Sequence, residues 1–406
     1  MRRVVITGMG IISPIGNSPD DAATALARKE SGIRQMPEWT SVGDLKTRVA
    51  GTADTPDPKV IPRAHRRTMG RVALLGAFAA SNAASDARLT GQDMASGAVG
   101  LSMGSTTGSA HVLEQFYREY FAANGIGLLE GTLFMKVMSH TVAANVAATL
   151  GIKGRVTAPC CACASSAQAI GEGFEAIRAG LQDVMLCGGS DEVHATTAGV
   201  FNILGAASTS FNDRPHQTPR PFDTSRDGLV VSEGAAVVVL EEYERAQRRG
   251  ACIYGEVLGY SANCDAANMA LSGVDGMASC IRGALYSAGI APEDLDYVNA
   301  HATGTVLGDA CEAEALRATV GDSVPVSSTK GHVGHTLGAC GAMEAIFCVQ
   351  MMRRRFLAPT LNLDMVDDTC SGLRHLGDTV EASPELILSN SFAFGGINAA
   401  VVLAKA

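Results

Sequence analysis

The chain has 406 residues, 47% of them hydrophobic and 18% charged, with 45 glycines and a formal net charge of −9. Such a composition is globular, with apolar material for two domains or one duplicated one. The acidic balance argues against a general nucleic-acid binder, and no apolar run reaches the roughly 18–20 residues needed to span a membrane.

Arg3-Val-Val-Ile-Thr-Gly-Met-Gly10 reads as a short buried strand that ends in a glycine turn, not as a secretory signal. Ser18-Pro-Asp-Asp opens a helix, with Ser18 as N-cap, Pro19 at the first helical position and acids in the first turn. A longer helix is predicted from about His65 to Ala87. Apolar runs at Val184, Ala235 and Ile253 read as buried strands. A helix follows over Val274–Ala288, then a strand at Tyr297 that leads to His301. Strands at Leu386 and Ala399 close the chain. Strands alternating with helices predict an α/β fold with covered sheets. A faint internal echo, Phe174-Glu-Ala-Ile against Met343-Glu-Ala-Ile, hints at duplication with a break near Arg248.

Eleven cysteines run from Cys160 to Cys370. Scattered thiols without a signal segment predict a reduced, cytoplasmic chain. Three of them fall in Pro159-Cys-Cys-Ala-Cys-Ala-Ser-Ser166, where an extended lead runs into small helix-forming residues. That puts Cys163 near a strand-to-helix turn, where the positive helix end should ease loss of the thiol proton. Three cysteines this close cannot surround a tetrahedral ion without distant help.

Three further segments place polar or small groups just after a strand: Asn299-Ala-His-Ala-Thr-Gly-Thr305 with Glu312 beyond it, Lys330-Gly-His-Val-Gly-His335, and Phe394-Gly-Gly396. Ligands of α/β proteins bind outside the carboxyl ends of strands. Asp309 is expected to cap the helix after Thr305.

With Pro221-Phe-Asp-Thr-Ser-Arg-Asp-Gly-Leu229 and the opening Val-Ile-Thr-Gly-Met-Gly, these segments, in order, resemble the β-ketoacyl-[acyl-carrier-protein] synthases of types I and II, in the thiolase-like condensing-enzyme family. Length and overall pattern lean toward type I. The resemblance implies a five-layer α-β-α-β-α sandwich of duplicated halves, residues 1–250 carrying the nucleophile and 251–406 the histidines and lysine. It implies acyl transfer to Cys163, then decarboxylative Claisen condensation with a malonyl carrier, in fatty-acid or related lipid or polyene biosynthesis.

The same resemblance assigns residues. His301 and His335 are the two imidazoles that stabilise an enolate. Lys330 is the buried ammonium beside them, and Glu312 is its matching acid. Main-chain N–H groups of Cys163 and Phe394 form the second oxyanion site, with Gly395 and Gly396 allowing the turn and Phe394 acting as a gate. Thr303 and Thr305 hold a pantetheine arm. Arg63 and Arg67 dock an acidic acyl carrier protein. The chain needs no metal and no cofactor of its own, because 4′-phosphopantetheine arrives on the carrier. A homodimer is implied; a heterodimer with a synthase-like subunit is the alternative. Cys160 and Cys161 become small buried wall residues.

Rival readings are a non-condensing chain-length-factor-like subunit and a biosynthetic thiolase. Intact Cys163, His301 and His335 disfavour the first. Phe-Gly-Gly in place of a late second cysteine disfavours the other. Leu229, where many relatives have Phe, and Val306, where Pro is common, leave the acyl substrate open.

Overall fold

Apolar runs without alternation become strands buried on both faces, as covered sheets require. In Gly234–Glu242 all nine residues are buried. The computed structural model describes residues 1–266, 268–270 and 273–406. Its first sheet takes β1 (Val4–Ile12), β2 (Val99–Gly104), β3 (Val156–Thr157), β4 (Val184–Asp191) and β5 (Gly234–Glu242). The second takes β6 (Gly255–Cys264), β7 (Tyr297–Asn299), β8 (Pro325–Ser327), β9 (Leu386–Ala393) and β10 (Ile397–Lys405).

The strands hydrogen-bond in the continuous order β3-β2-β4-β5-β1-β6-β10-β9-β7-β8, with the two-residue strand Arg374–His375 beyond β8, and the β1–β6 contact divides them into the two sheets. In each sheet the three strands farthest from that contact are parallel and the other two pair antiparallel. One topology therefore occurs twice. The sheets touch edge to edge only where Val5 and Ile6 of β1 meet Glu256 and Gly255 of β6.

Seven helices matter for the layers: α1 (Arg71–Asp86), α2 (Ala110–Ala123), α3 (Thr141–Leu150), α4 (Ser165–Arg178), α5 (Val274–Ala288), α6 (Val306–Val320) and α7 (Cys340–Arg354). Helices α1 and α3 cover the outside of the first sheet, and α5 and α6 the outside of the second. Between the sheets lie α4 and α7, packed on each other and on both sheets. The result is a five-layer α-β-α-β-α sandwich, the thiolase-like fold. The Phe174 and Met343 echoes sit on those two central helices. Their contact is close: a Cβ on Gly341 would lie 2.7 Å from the Ala167 Cβ.

Local expectations fare unevenly. Ser18 caps its helix through the Asp21 N–H, with Pro19 at the first position. Val274–Ala288 is helical throughout. The opening strand, however, runs through Gly8 and Gly10 to Ile12. Those glycines are not a turn. They let α1 lie directly on the strand. The predicted His65–Ala87 helix is two pieces, Arg63–Arg66 and Arg71–Asp86, with Gly70 as the cap of the second. Among the described residues no helix is long and apolar enough to cross a membrane.

A Cβ on Gly10 would meet the Ala79 carbonyl oxygen at 2.0 Å and the Ala83 nitrogen at 2.6 Å, both main-chain atoms. Backbone cannot step aside as a side chain can. Gly10→Ala is expected to cost roughly 1–3 kcal/mol by overpacking, read as a lower urea midpoint at unchanged slope.

Candidate active site

Two matching turns start the two central helices. Ala162–Ala164 forms a 3-10 turn ahead of α4, and Leu337–Ala339 forms one ahead of α7. Each contains one residue in the left-handed region, Ala162 at φ +46 and Leu337 at φ +51. A side chain there costs about 1–2 kcal/mol, and small neighbours make the bend possible. Ser165 Oγ braces the first elbow, accepting from Cys161 N at 2.9 Å and donating to the Ala162 carbonyl at 2.7 Å. Ser166 Oγ accepts from Ala342 N at 3.0 Å and ties α4 to α7. The two elbows touch.

Cys163 sits in the first elbow, buried. His335 Nε2 lies 2.9 Å from its sulfur. Residues 230–232 hold the histidine's backbone: His335 N donates to Val230 O at 2.8 Å, and Ser232 N to His335 O at 2.9 Å. The His301 ring stands edge-on to that of His335, with centroids 5.2 Å apart. The Cys163 sulfur and one ring nitrogen from each histidine lie within 4.8 Å of one another.

Helix α6 holds the His301 loop. Glu312 accepts the His301 main-chain N–H at 2.8 Å. Asp309 accepts from Phe222 N at 2.8 Å, Thr303 N at 3.0 Å and Gly304 N at 3.1 Å. It is therefore not the helix cap; Thr305 occupies that position. Behind the histidines lies Lys330, fully buried and ion-paired with Glu344 of α7. This corrects the expected pairing with Glu312. Glu312 bonds backbone, while Glu344 reaches the ammonium from inside an apolar helix. That lone buried acid among Met, Ala, Ile and Phe was a sequence signal for an internal partner.

Burial sets the protonation. It pushes both histidines well below the ordinary 6.5, and the Lys330 charge adds to this. Both rings are thus neutral. Burial also works to strip Lys330 of its proton, but the Glu344 carboxylate outweighs it and keeps the ammonium charged. The Cys163 thiol is pushed up to about 12, again by burial first. Lys330 and the N–H groups of Cys163 and Phe394 pull it back only in part. The easing of proton loss expected at the helix start is present but outweighed by burial. A helix end contributes about 0.3–1 kcal/mol, against roughly 4 kcal/mol for a rise from 9.0 to about 12.

A cavity of about 490 Å³ opens onto Cys163, His301, His335 and Glu312. Thr303, Thr305, Leu229 and Phe394 also line it. The Thr303 and Thr305 hydroxyls are 3.1 Å apart. Phe394 stacks near Phe201, with centroids at 5.5 Å, and Gly395 and Gly396 take φ +87 and +66. Lys330 lies behind this wall. Arg63, at the start of a four-residue helix, and Arg67, just past its end, are exposed and outside the cavity lining. Cys161 is half-buried and donates to Gln168 Oε1 at 2.9 Å, but Cys160 is exposed, contrary to its expected burial. His332 is buried between the carbonyls of Glu30 and Pro359 and faces away from the cluster.

Burial raises the Glu312 carboxyl from 4.5 to about 7, partly offset by the His301 N–H. Its folded value exceeds its unfolded value, so its burial costs stability that grows as pH rises between those limits. Glu312→Gln should therefore gain stability relative to the native chain on going from about pH 5 to about pH 8, measured by urea unfolding at each pH.

The sequence model for the beta-ketoacyl synthase N-terminal domain matches residues 1–246, and that for the C-terminal domain matches residues 254–364. The 3-oxoacyl-[acyl-carrier-protein] synthase 1 of Haemophilus influenzae is 37% identical over 407 residues, covering 100% of this chain and 99% of that protein. A beta-ketoacyl synthase from Burkholderia phymatum superposes with a TM-score of 0.96 at 41% identity, with both chains fully covered. A type II polyketide ketosynthase solved with its acyl carrier protein, AntDE:AntF, superposes at 0.91 with 27% identity and full coverage of both chains. Motif order, elbow geometry and these likenesses agree: the chain belongs to the β-ketoacyl synthase family.

Proposed function

We propose that this chain is a β-ketoacyl-[acyl-carrier-protein] synthase that uses Cys163 as its acyl acceptor. The observation that carries the reading is the 2.9 Å contact between the Cys163 sulfur and a neutral His335 at the floor of a cavity. An acyl thioester enters, and the sulfur attacks its carbonyl carbon. The carbonyl oxygen, briefly anionic, is held by the N–H groups of Cys163 and Phe394, the same two that act on the thiol. The C–S bond to the carrier breaks. The thiol proton ends on the departing carrier sulfur.

A malonyl thioester then takes the carrier's place. Its carbon–carboxylate bond breaks, carbon dioxide leaves, and the electron pair moves onto the thioester oxygen. His301 and His335 point N–H groups at that oxygen. Neutral rings suit this, because they donate hydrogen bonds without giving up a full proton. Burial keeps them neutral, the Lys330 charge adds to it, and Glu344 keeps Lys330 charged. The enolate carbon attacks the acyl-cysteine, a C–C bond forms, the Cys163 sulfur leaves, and a solvent proton restores the thiol.

Residues 1–250 would supply the nucleophile and 251–406 the enolate site. Thr303 and Thr305, on the cavity wall, would hold the pantetheine arm, so the chain needs no cofactor or metal of its own. Arg63 and Arg67 are four residues apart and enter no ion pair among the described residues, which suits docking of an acidic carrier. Leu113, Tyr117, Tyr120 and Phe121 leave an apolar face of α2 exposed, and a second copy of the chain would cover it. All eleven cysteines are free thiols, which suits a reducing cytoplasm. A non-condensing subunit would have no use for the Cys163–His335 contact.

Purified protein mixed with acyl-carrier and malonyl-carrier should yield β-ketoacyl-carrier by mass spectrometry, and Cys163→Ala should form no acyl-enzyme. His335→Ala should still acylate while condensing at least about 100-fold more slowly. Retention of condensation by either variant would remove that residue from its role. Mutating Arg63 and Arg67 to Glu should raise the KM for carrier substrates about tenfold and leave acylation by small thioesters unchanged.

A further inference from the structure

Asp191 ends β4 and is 2% exposed. It is saturated with donors. The carboxylate accepts Gly338 N at 2.7 Å, Thr106 Oγ1 at 2.7 Å, Thr106 N at 3.0 Å and Ser105 Oγ at 3.1 Å. Thr106 Oγ1 itself accepts Gly338 N at 3.1 Å. Gly338 occupies, in the second elbow, the place that Cys163 holds in the first. It lies three residues after His335. A buried anion thus joins β4, the residue 105–106 segment and the His335 turn at one point.

We propose that Asp191 is a positioning residue of the condensing site: its carboxylate clamps the second elbow to the end of β4 and to residues 105–106, holding the turn that carries His335, and places a buried negative charge beside that elbow. The proposal rests on the synthase reading for its activity arm only. Clamping matters because the sulfur must meet His335 within hydrogen-bond reach, and a shift of about 1 Å in such contacts can cost up to 100-fold in rate.

The charge has a separate consequence. Asp191 opposes ionisation of Cys163, while Lys330 favours it. The other groups facing the sulfur are the neutral His335 and His301, and Cys340, whose thiol donates to the Cys163 carbonyl at 3.2 Å. Burial raises the Asp191 carboxyl to about 6, with its donors pulling the other way, so it is anionic at neutral pH. Burial first, with the Asp191 charge adding to it, favours a resting thiol over a thiolate, poorly reactive toward adventitious electrophiles.

The test uses the full chain with Asp191→Asn, which keeps the shape and drops the charge, and Asp191→Glu, which keeps the charge on a longer arm. The rate of Cys163 alkylation by iodoacetamide is followed against pH. Fragment-ion mass spectrometry counts Cys160 and Cys161 separately. For Asp191→Asn the Cys163 profile should move about one pH unit lower, and condensation should fall about tenfold or more. For Asp191→Glu the profile should stay in place while condensation falls, because the Gly338 bond is displaced. An unmoved Cys163 profile in folded Asp191→Asn overturns the charge role. Undiminished condensation in Asp191→Glu overturns the clamp, and decides the matter if Asp191→Asn does not fold. Alkylation needs no acyl substrate, so failure of the synthase reading would leave the profile shift intact and abolish condensation in the native chain as well.

Discussion

Two sheets press on one shared layer of two helices, and that contact decides where the chemistry sits. Helices α4 and α7 begin at equivalent elbows because the halves share one topology. Packing the helices together brings the elbows face to face. The first elbow presents Cys163. The segment that leads into the second presents His335. Small residues at the crossing, Ala167 and Gly341, let the backbones approach closely enough for a side-chain contact to span the gap. Larger residues there would part the halves and separate the sulfur from the imidazole.

The same packing buries charge, and burial then governs every protonation state in the site. A lysine so deep would ordinarily lose its proton; Glu344, delivered by α7, prevents that. The retained ammonium disfavours protonation of the two histidines. Elsewhere buried carboxylates serve as anchors for main-chain N–H groups: Glu312 for His301, Asp309 for the Thr303–Gly304 turn, and Asp191 for Gly338. Each fixes a loop that would otherwise bury unpaired donors. The pattern is economical in physical terms, since one anion both satisfies a turn and holds a reactive side chain in register.

Much of the site was legible along the chain because its parts are local. A strand, a tight polar turn and a small-residue helix can be read within about fifteen residues, and such turns carry Cys163, His301 and His335. Strand and helix order, together with a resemblance spread over the whole length, led to the layered α/β fold. Gly395 and Gly396 announced a turn because few other residues take their conformation. The misreadings share a cause. The glycines of β1 looked like a turn because the helix that needs them lies some seventy residues away. Gly70 divides the expected His65 helix.

The sequence by itself determined the family and the turns that carry Cys163, His301 and His335, since each rests on residue types held in short, ordered segments. Only the tertiary structure decided which acid pairs with Lys330, that Cys163 rests as a protonated thiol, and that Asp191 reaches the second elbow. The first two depend on how far charge is removed from water, and the last on groups brought together from opposite halves of the chain. Neither solvent exclusion nor long-range contact has a local signature. A thiol at a helix start and a thiol buried beneath two sheets can be written with the same residues.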